Sequence, residues 1–274
     1  MSVTTEPPRS GSAVQPARPA KPPPNWFIWG GLAAVLLITW WAARQIGFTL
    51  RPLFTDDLTR GTAVIGRFFN PNWGYIFEVW QSWLETLYIA VIAGLVGNGV
   101  ALFLSLLASK ISSPNRGVYL VFKNALSVLR SLPDVAYALF FVAAVGSGPL
   151  AGIIALIFFN IGVNAKLTSE TIDGVDVGPI EAADAGGANR FQRAWAAVVP
   201  QIMPNYTSYS LYVFELNLRA SLVIGYVGAG GIGQVIQVQF ARFNFENVGA
   251  IVVALFVIVF ALDRLSIYLR RRLV

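Results

Sequence analysis

The sequence contains no cysteine and no histidine. Without cysteine there is no disulfide, no thiolate nucleophile and no cysteine-bound metal. Without histidine the commonest general base and metal ligand is missing. Any enzyme built on this chain would have to work with carboxylates, Lys or Tyr alone. The composition therefore argues against catalysis and against a metal site. Charge is also scarce: Asp, Glu, Lys and Arg make up 12% of the 274 residues, about half the share found in a soluble domain. No G-x-x-x-x-G-K-[ST] phosphate loop occurs, so the chain carries no ATP engine of its own.

Apolar residues are abundant instead. They make up 55% of the chain, mean hydropathy is +0.61, and they fall in long runs. This predicts an all-α, polytopic integral membrane protein. The net charge of +6 then reads as basic residues gathered in cytoplasmic loops, not as a signal for nucleic acid.

Residues 1–25 are rich in Pro, Ser and Ala and predict a disordered cytoplasmic tail. Residues 26–43 form an apolar run with Trp26 and Trp29 at one end and Trp40 and Trp41 at the other, as expected of a first span with interfacial anchors. A cleaved signal peptide is the alternative, but tail and run are both long for one. Residues 44–83 are aromatic and mixed in charge, and suggest an external segment at the membrane surface. The remainder, 84–270, holds five more expected spans: 84–108, about 134–146 with an earlier start at an angle as the alternative, 150–165, 205–227 and 248–262. An amphipathic helix is expected over Tyr119 to Leu132. Segment 109–132 has four cations (Lys110, Arg116, Lys123, Arg130) and no acid, whereas 44–83 sets four arginines against three acids. The asymmetry puts 109–132, 166–204 and both termini in the cytoplasm, and the Gly-rich, polar segment 228–247 outside.

Three features stand out from this hydrophobic background. The first is a polar island, Glu181 to Pro200, which reads as a short helix followed by a loop. Glu181 and Asp184 sit in its first turn, and Arg190 and Arg193 lie towards its negative end. Gly186 and Gly187 would allow another backbone to approach. An ordinary amphipathic surface helix is the plain alternative. The second is a stripe on the fifth span. Asn205, Ser208, Tyr212, Glu215 and Arg219 recur at spacings of three and four and share one face. Such a face must look at protein or water, so it either lines a path or forms a buried ion pair between helices. Asn98 and Asn164 are further polar residues within spans, Asn98 serving either packing or a lining. The third is Gly228, Gly230, Gly231 and Gly233, which satisfy G-x-G-x-x-G. A dinucleotide site needs a preceding strand, so these glycines read as a bend at an external mouth. Ala90, Gly94, Gly97, Ala101 and Ser105 recur every three or four residues and read as a helix-packing stripe.

The island resembles the EAA motif of bacterial ABC importer permeases, which runs EAA, three residues, Gly, nine residues, Ile, one residue, Leu-Pro. Glu181, Ala182, Ala183, Gly187 and Pro200 match in register, and Ala197 and Val199 stand where the family has Ile and Leu. Together with Arg130 to Asp134, Gly146 to Gly152 and Phe214 to Gly233, it resembles the permeases of phosphonate-type ABC importers over about residues 80–270. The resemblance implies a type I ABC importer-like fold in a bacterial inner membrane. It implies a coupling helix at about 178–190, with Glu181, Ala182, Ala183, Asp184, Gly187, Arg190 and Pro200 serving coupling. Its partners would be two cytoplasmic ATPases that bind ATP and Mg, a second copy of the permease and an external solute-binding protein. Arg219, Glu215, Tyr212, Ser208, Asn164 and Asn98 are the candidates for a path for a phosphorus oxyanion. A permease for methionine or another amino acid, and a stand-alone transporter or channel, are the rival readings.

Overall fold

The computed structural model describes residues 26–49 and 57–270. The expected tail, 1–25, and Arg271 and Arg272 lie outside them. Every regular element among the described residues is a helix. The chain divides into two units, residues 1–59 and 60–274. In the first, α1 (Trp26–Gln45) is long and apolar enough to cross a membrane and buries none of its own residues. The division falls within α2 (Asp57–Phe68).

The second unit is built on α4 (Trp80–Leu107), which follows the single turn α3 (Tyr75–Glu78). Its 28 residues run about 42 Å at 1.5 Å per residue, more than the roughly 30 Å of hydrocarbon to be crossed. Its packing face is the small-residue stripe: Ala90, Gly94, Gly97, Ala101 and Ser105 are all buried. A Cβ on Gly97 would lie 2.8 Å from that of Asn160, so this contact admits only glycine.

Helix α5 (Arg116–Ser131) is amphipathic, and its apolar residues Leu120, Val121 and Val128 are exposed. The chain then bends by 90° into α6 (Asp134–Val145). The bend is local chemistry: Pro133 forces Leu132 into an extended conformation (φ −89°, ψ 133°). The span expected at about 134–146 is thus only 12 residues long, too short to cross alone. After the turn at Gly146 to Gly148 comes α7 (Pro149–Asn160), then a π-helical turn at Ile161–Ala165, then α8 (Lys166–Ile172). These three form one helix of 24 residues.

The island departs from expectation. It is not a short helix and a loop, but helix, turn and helix. α9 (Gly178–Ala185) ends in a tight turn. Then α10 (Arg190–Arg193), a π-helical turn at Ala194–Val198 and α11 (Val199–Tyr226) follow without a break. The fifth long helix therefore starts well before the expected residue 205. Pro200 follows the π-helical turn directly, as the second residue of α11. Pro204 lies further inside α11. Segment 228–247 also contains a helix, α12 (Gly231–Ala241), bent by 40° from α11. Finally, α13 (Phe245–Arg270) completes the unit. Six spans were expected. Four helices among the described residues meet the length and hydropathy of a span, and the total reaches six when each bent pair is one span.

Candidate functional site

The eight residues of α9 are too few to be helical alone. Packing and turn chemistry hold them. Ile180 is buried in a cluster with Leu102, Ile172, Ala197, Val198 and Ile202, and so ties α9 to α4, α8 and α11. At its N-terminus the Asp176 carboxylate accepts the N–H of Gly178 at 3.0 Å. Gln201 on α11 clasps the same loop, accepting the Asp176 N–H and donating to the Asp176 carbonyl. At the C-terminus Ala188 N–H reaches Ala183 O and Gly187 N–H reaches Asp184 O, the two bonds of a Schellman cap with Gly187 in the left-handed position (φ +78°). No atom comes within 4 Å of a Cβ built on Gly187. Within this chain its requirement is therefore conformational.

Arg190 and Arg193 do not lie at the end of α9 but on α10, which opens with a reciprocal capping box between Asn189 and Gln192. Arg193 pairs with Asp184 at 3.2 Å, and Arg190 donates to the carbonyl of Pro114. The two arginines thus brace α9 and the α4–α5 connection from the next helix. Glu181, Ala182, Asp184 and Ala185 remain on the exposed face of α9. Ala197 and Val199 are buried, and Pro200 is exposed. The result is a small braced knob with an acidic outer face, joined through the cluster around Ile180 to α4, α8 and α11.

The polar residues expected to converge on a path fall into two groups. Asn164 lies fully buried in the π-helical turn. Its amide donates to Asn98 Oδ1 (2.8 Å) and Ser210 Oγ (3.1 Å), and its carbonyl accepts from Thr168 (3.0 Å). Asn98 is buried beside it, at one side of a largely apolar cleft of about 400 Å³ between α4 and α11. Tyr206, Thr207, Ser210, Leu211 and Phe214 line the cleft from α11, and Tyr206, Ser210 and Phe214 share one helical face. At 3.6 residues per turn, Ser208, Tyr212, Glu215 and Arg219 lie across the helix axis from them. There Arg219 pairs with Glu215, whose side chain is 8% exposed while that of Arg219 is 52% exposed. The structure therefore joins Asn98 to Asn164 and Glu215 to Arg219, and separates the pairs. Asn205 and Tyr212 are exposed and Ser208 is half-buried. Arg219 is the exposed charged residue of this stripe.

At the other end of α4 the four glycines form a junction. Gly228, Gly230 and Gly231 have φ of +99°, +83° and +72°. A Cβ on Gly231 would meet Thr86 Oγ1 at 2.6 Å, and one on Gly233 would meet Leu222 O at 2.3 Å. Gly228 O accepts the N–H of Gly148 at 2.9 Å. Two residues of α4 absent from the sequence-based reading complete the junction. Glu85 accepts the N–H of Gly231 (3.0 Å) and Thr86 accepts that of Ile232 (2.8 Å). They satisfy two orphan donors at the start of α12, where a carboxylate also suits the helix dipole. The sequence signal was an acid early in an apolar run. Glu85 and Leu102 are about 25 Å apart along α4, so the junction and α9 occupy opposite ends of the unit. Among the described residues no group of three acidic side chains is placed to hold a metal.

Residues 97–274 match the family model described as binding-protein-dependent transport system inner membrane component. The chain is 37% identical over 212 residues to the phosphate-import permease protein PhnE of Mycolicibacterium smegmatis, an alignment covering 77% of this chain and 40% of that protein. It is 42% identical to the putative phosphite transport system permease protein HtxE of Stutzerimonas stutzeri, over 60% of this chain and 62% of that one. Against the phosphite transport system permease protein PtxC of the same organism, identity is 32% over 90% of each chain. The chain thus spans less than two thirds of the first two relatives. A solved chain of the MetNI methionine ABC transporter in an inward-facing conformation superposes with a TM-score of 0.64 at 20% identity, covering 73% of this chain and 97% of that one. The all-helical fold is shared with it.

Proposed function

As the chain belongs to the family of binding-protein-dependent transport system inner membrane components, multi-pass proteins of the inner membrane, we propose that it is the permease subunit of an ABC importer for phosphonate, phosphite or a related phosphorus oxyanion. The observation that carries the reading is α9, a braced knob with an exposed face around Glu181 that reaches three long helices through one buried side chain, Ile180. Such an element is suited to receive force from a partner and of little use to a protein working alone. The partners are two cytoplasmic ATPases that bind ATP and Mg, so this chain itself is non-catalytic. A second copy completes the path, and an external binding protein delivers the solute. The α9 end faces the cytoplasm, as do both termini, and the glycine junction faces outward. Closure of the ATPases displaces α9, and Ile180 passes the movement to α4, α8 and α11 as a rocking of packed helices.

An anion crossing hydrocarbon needs a positive charge or donors. Arg219 is the candidate because half of its side chain is exposed while Glu215 fixes its other side. Tyr212 and Ser208 extend that face. Asn98 and Asn164 support α4, α8 and α11 from within and serve the path by holding α11 in register. The cargo assignment rests on the names of relatives 32–42% identical to this chain. A second reading, a quaternary-ammonium cargo, draws on a glycine betaine/carnitine transport permease of Listeria monocytogenes at 26% identity. Growth of a deletion strain on phosphite, phosphonate or phosphate as sole phosphorus source separates the two. Loss of growth restored by this gene supports the phosphorus reading. Normal growth on all three, with lost betaine uptake, supports the other.

A further inference from the structure

At the α9 end of the second unit, the connection from α4 to α5 divides two clefts. One, of about 430 Å³, has Lys110 and Arg116 on its wall together with Tyr119. The other, of about 290 Å³, is apolar and is bounded by Phe103 and Leu107 of α4 and by Phe191 and Trp195. The connecting segment serves both: Ser113 and Asn115 face the basic cleft, and Ser112 and Pro114 face the apolar one.

The charge in the basic cleft is not spent internally. The nearby Asp173 carboxylate is already engaged by Ser109, the Lys110 backbone N–H and Lys123. Among the described residues no carboxylate pairs with the side chain of Lys110 or Arg116, and both residues are exposed. In the apolar cleft, Phe191 and Trp195 stack with ring centroids 6.2 Å apart and stay 71% and 48% exposed. Both clefts sit where the long apolar helix α4 ends. This is the depth at which aromatic rings and basic side chains meet lipid headgroups.

The geometry points to an anionic phospholipid site. The phosphate and its headgroup lie between Lys110 and Arg116, and an acyl chain runs over the stacked rings of Phe191 and Trp195. Free inorganic phosphate satisfies only the first half of this surface. The adjoining apolar cleft, at the end of a span, selects a molecule with both a phosphate and a hydrocarbon tail. Arg190 and Trp195 belong to the helix that braces α9, so bound lipid would stiffen the support of the knob. This goes beyond the transport reading and is independent of its cargo. An uptake assay and a lipid-binding assay can fail separately.

The test uses the full chain reconstituted in phosphatidylcholine vesicles containing phosphatidylglycerol. Bromine is placed on the acyl chains of one lipid or the other at equal total content, and tryptophan quenching is compared. The Trp195-specific part is the difference from Trp195→Phe. The expected result is stronger quenching of Trp195 by brominated phosphatidylglycerol, reduced to the phosphatidylcholine level in Lys110→Gln/Arg116→Gln. Arg242→Gln, which removes an exposed charge at the other end of the unit, is expected to keep the preference. Circular dichroism of each variant verifies folding. If excess inorganic phosphate leaves the preference intact, the site reads the lipid. If phosphate alone erases it, the cations bind any phosphate anion and the acyl-chain half of the proposal falls. Equal quenching by both lipids in the wild type, or equal loss in Arg242→Gln, overturns the proposal.

Discussion

Glu85 and Gly231, 146 residues apart in sequence, meet at 3.0 Å, carboxylate to backbone N–H. With Thr86 on the N–H of Ile232, this contact fixes the start of α12 against α4. These contacts set the first prediction. Gly231→Ala places a Cβ 2.6 Å from Thr86 Oγ1 at a φ of +72°, so strain alone is expected to cost about 1–3 kcal/mol. Glu85→Ala removes a cap and is expected to cost about 0.5–2 kcal/mol. Denaturation of the detergent-purified protein measures both. Gly99→Ala, where nothing lies within 4 Å of the added Cβ, is the control without steric strain and is expected to stabilise α4 by about 0.5–1 kcal/mol.

At Gly187 the expected fault is conformational. Its φ of +78° with open space around it means that size matters little. Gly187→Ala is expected to destabilise the α9 turn by about 1–2 kcal/mol, and Gly187→Asn by less, since Asn tolerates the left-handed region. Gly187→Leu is expected to behave like Ala and to weaken coupling between ATP hydrolysis and uptake. A large extra penalty for Leu over Ala would show that another chain packs on this glycine. Ile180→Ala removes the link between α9 and the helices and is expected to cost about 2–5 kcal/mol.

The polar island and the stripe on α11 were legible because they interrupt an apolar background, and residue spacing alone places Glu215 beside Arg219. The continuous helix over residues 190–226 was not legible. Pro200 and Pro204 look like breakers, yet the chain stays helical through both, with a π-helical turn just before Pro200. α12 was hidden by the glycines before it and the glutamines within it. The Glu85 and Thr86 cap depends on a fold-level contact that no local pattern encodes. Asn164 read as a possible path residue because an asparagine in a span is costly; the structure offers Asn98, Ser210 and Thr168 as its partners.

That network yields a prediction of its own. Asn164→Leu leaves Asn98 Oδ1 and the Thr168 hydroxyl without a partner. A loss of about 1–3 kcal/mol of stability is expected. Uptake per folded molecule should stay near normal. A stable Asn164→Leu protein with abolished uptake would instead make the asparagine a direct contact to the solute.

Arg219 is expected to show the reverse. Because its side chain is 52% exposed, solvent weakens its pairing with Glu215, and Arg219→Ala should cost roughly 1 kcal/mol of stability. Its effect on uptake should be much larger, with Arg219→Lys intermediate. Solute titration in proteoliposomes separates affinity from turnover. Unchanged uptake in a properly assembled Arg219→Ala protein removes the anion-contact role.

The most direct measurement is uptake of labelled phosphite or phosphonate by proteoliposomes. They hold this chain with its ATPase, and the solute-binding protein is added outside. Wild-type chain is compared with Glu181→Lys. The account predicts accumulation that requires ATP and the binding protein. Glu181→Lys is expected to abolish accumulation while leaving the helices folded, because Glu181 lies on the exposed face of α9 that is proposed to meet the ATPase. Accumulation without the ATPase, or wild-type uptake by Glu181→Lys, would contradict it.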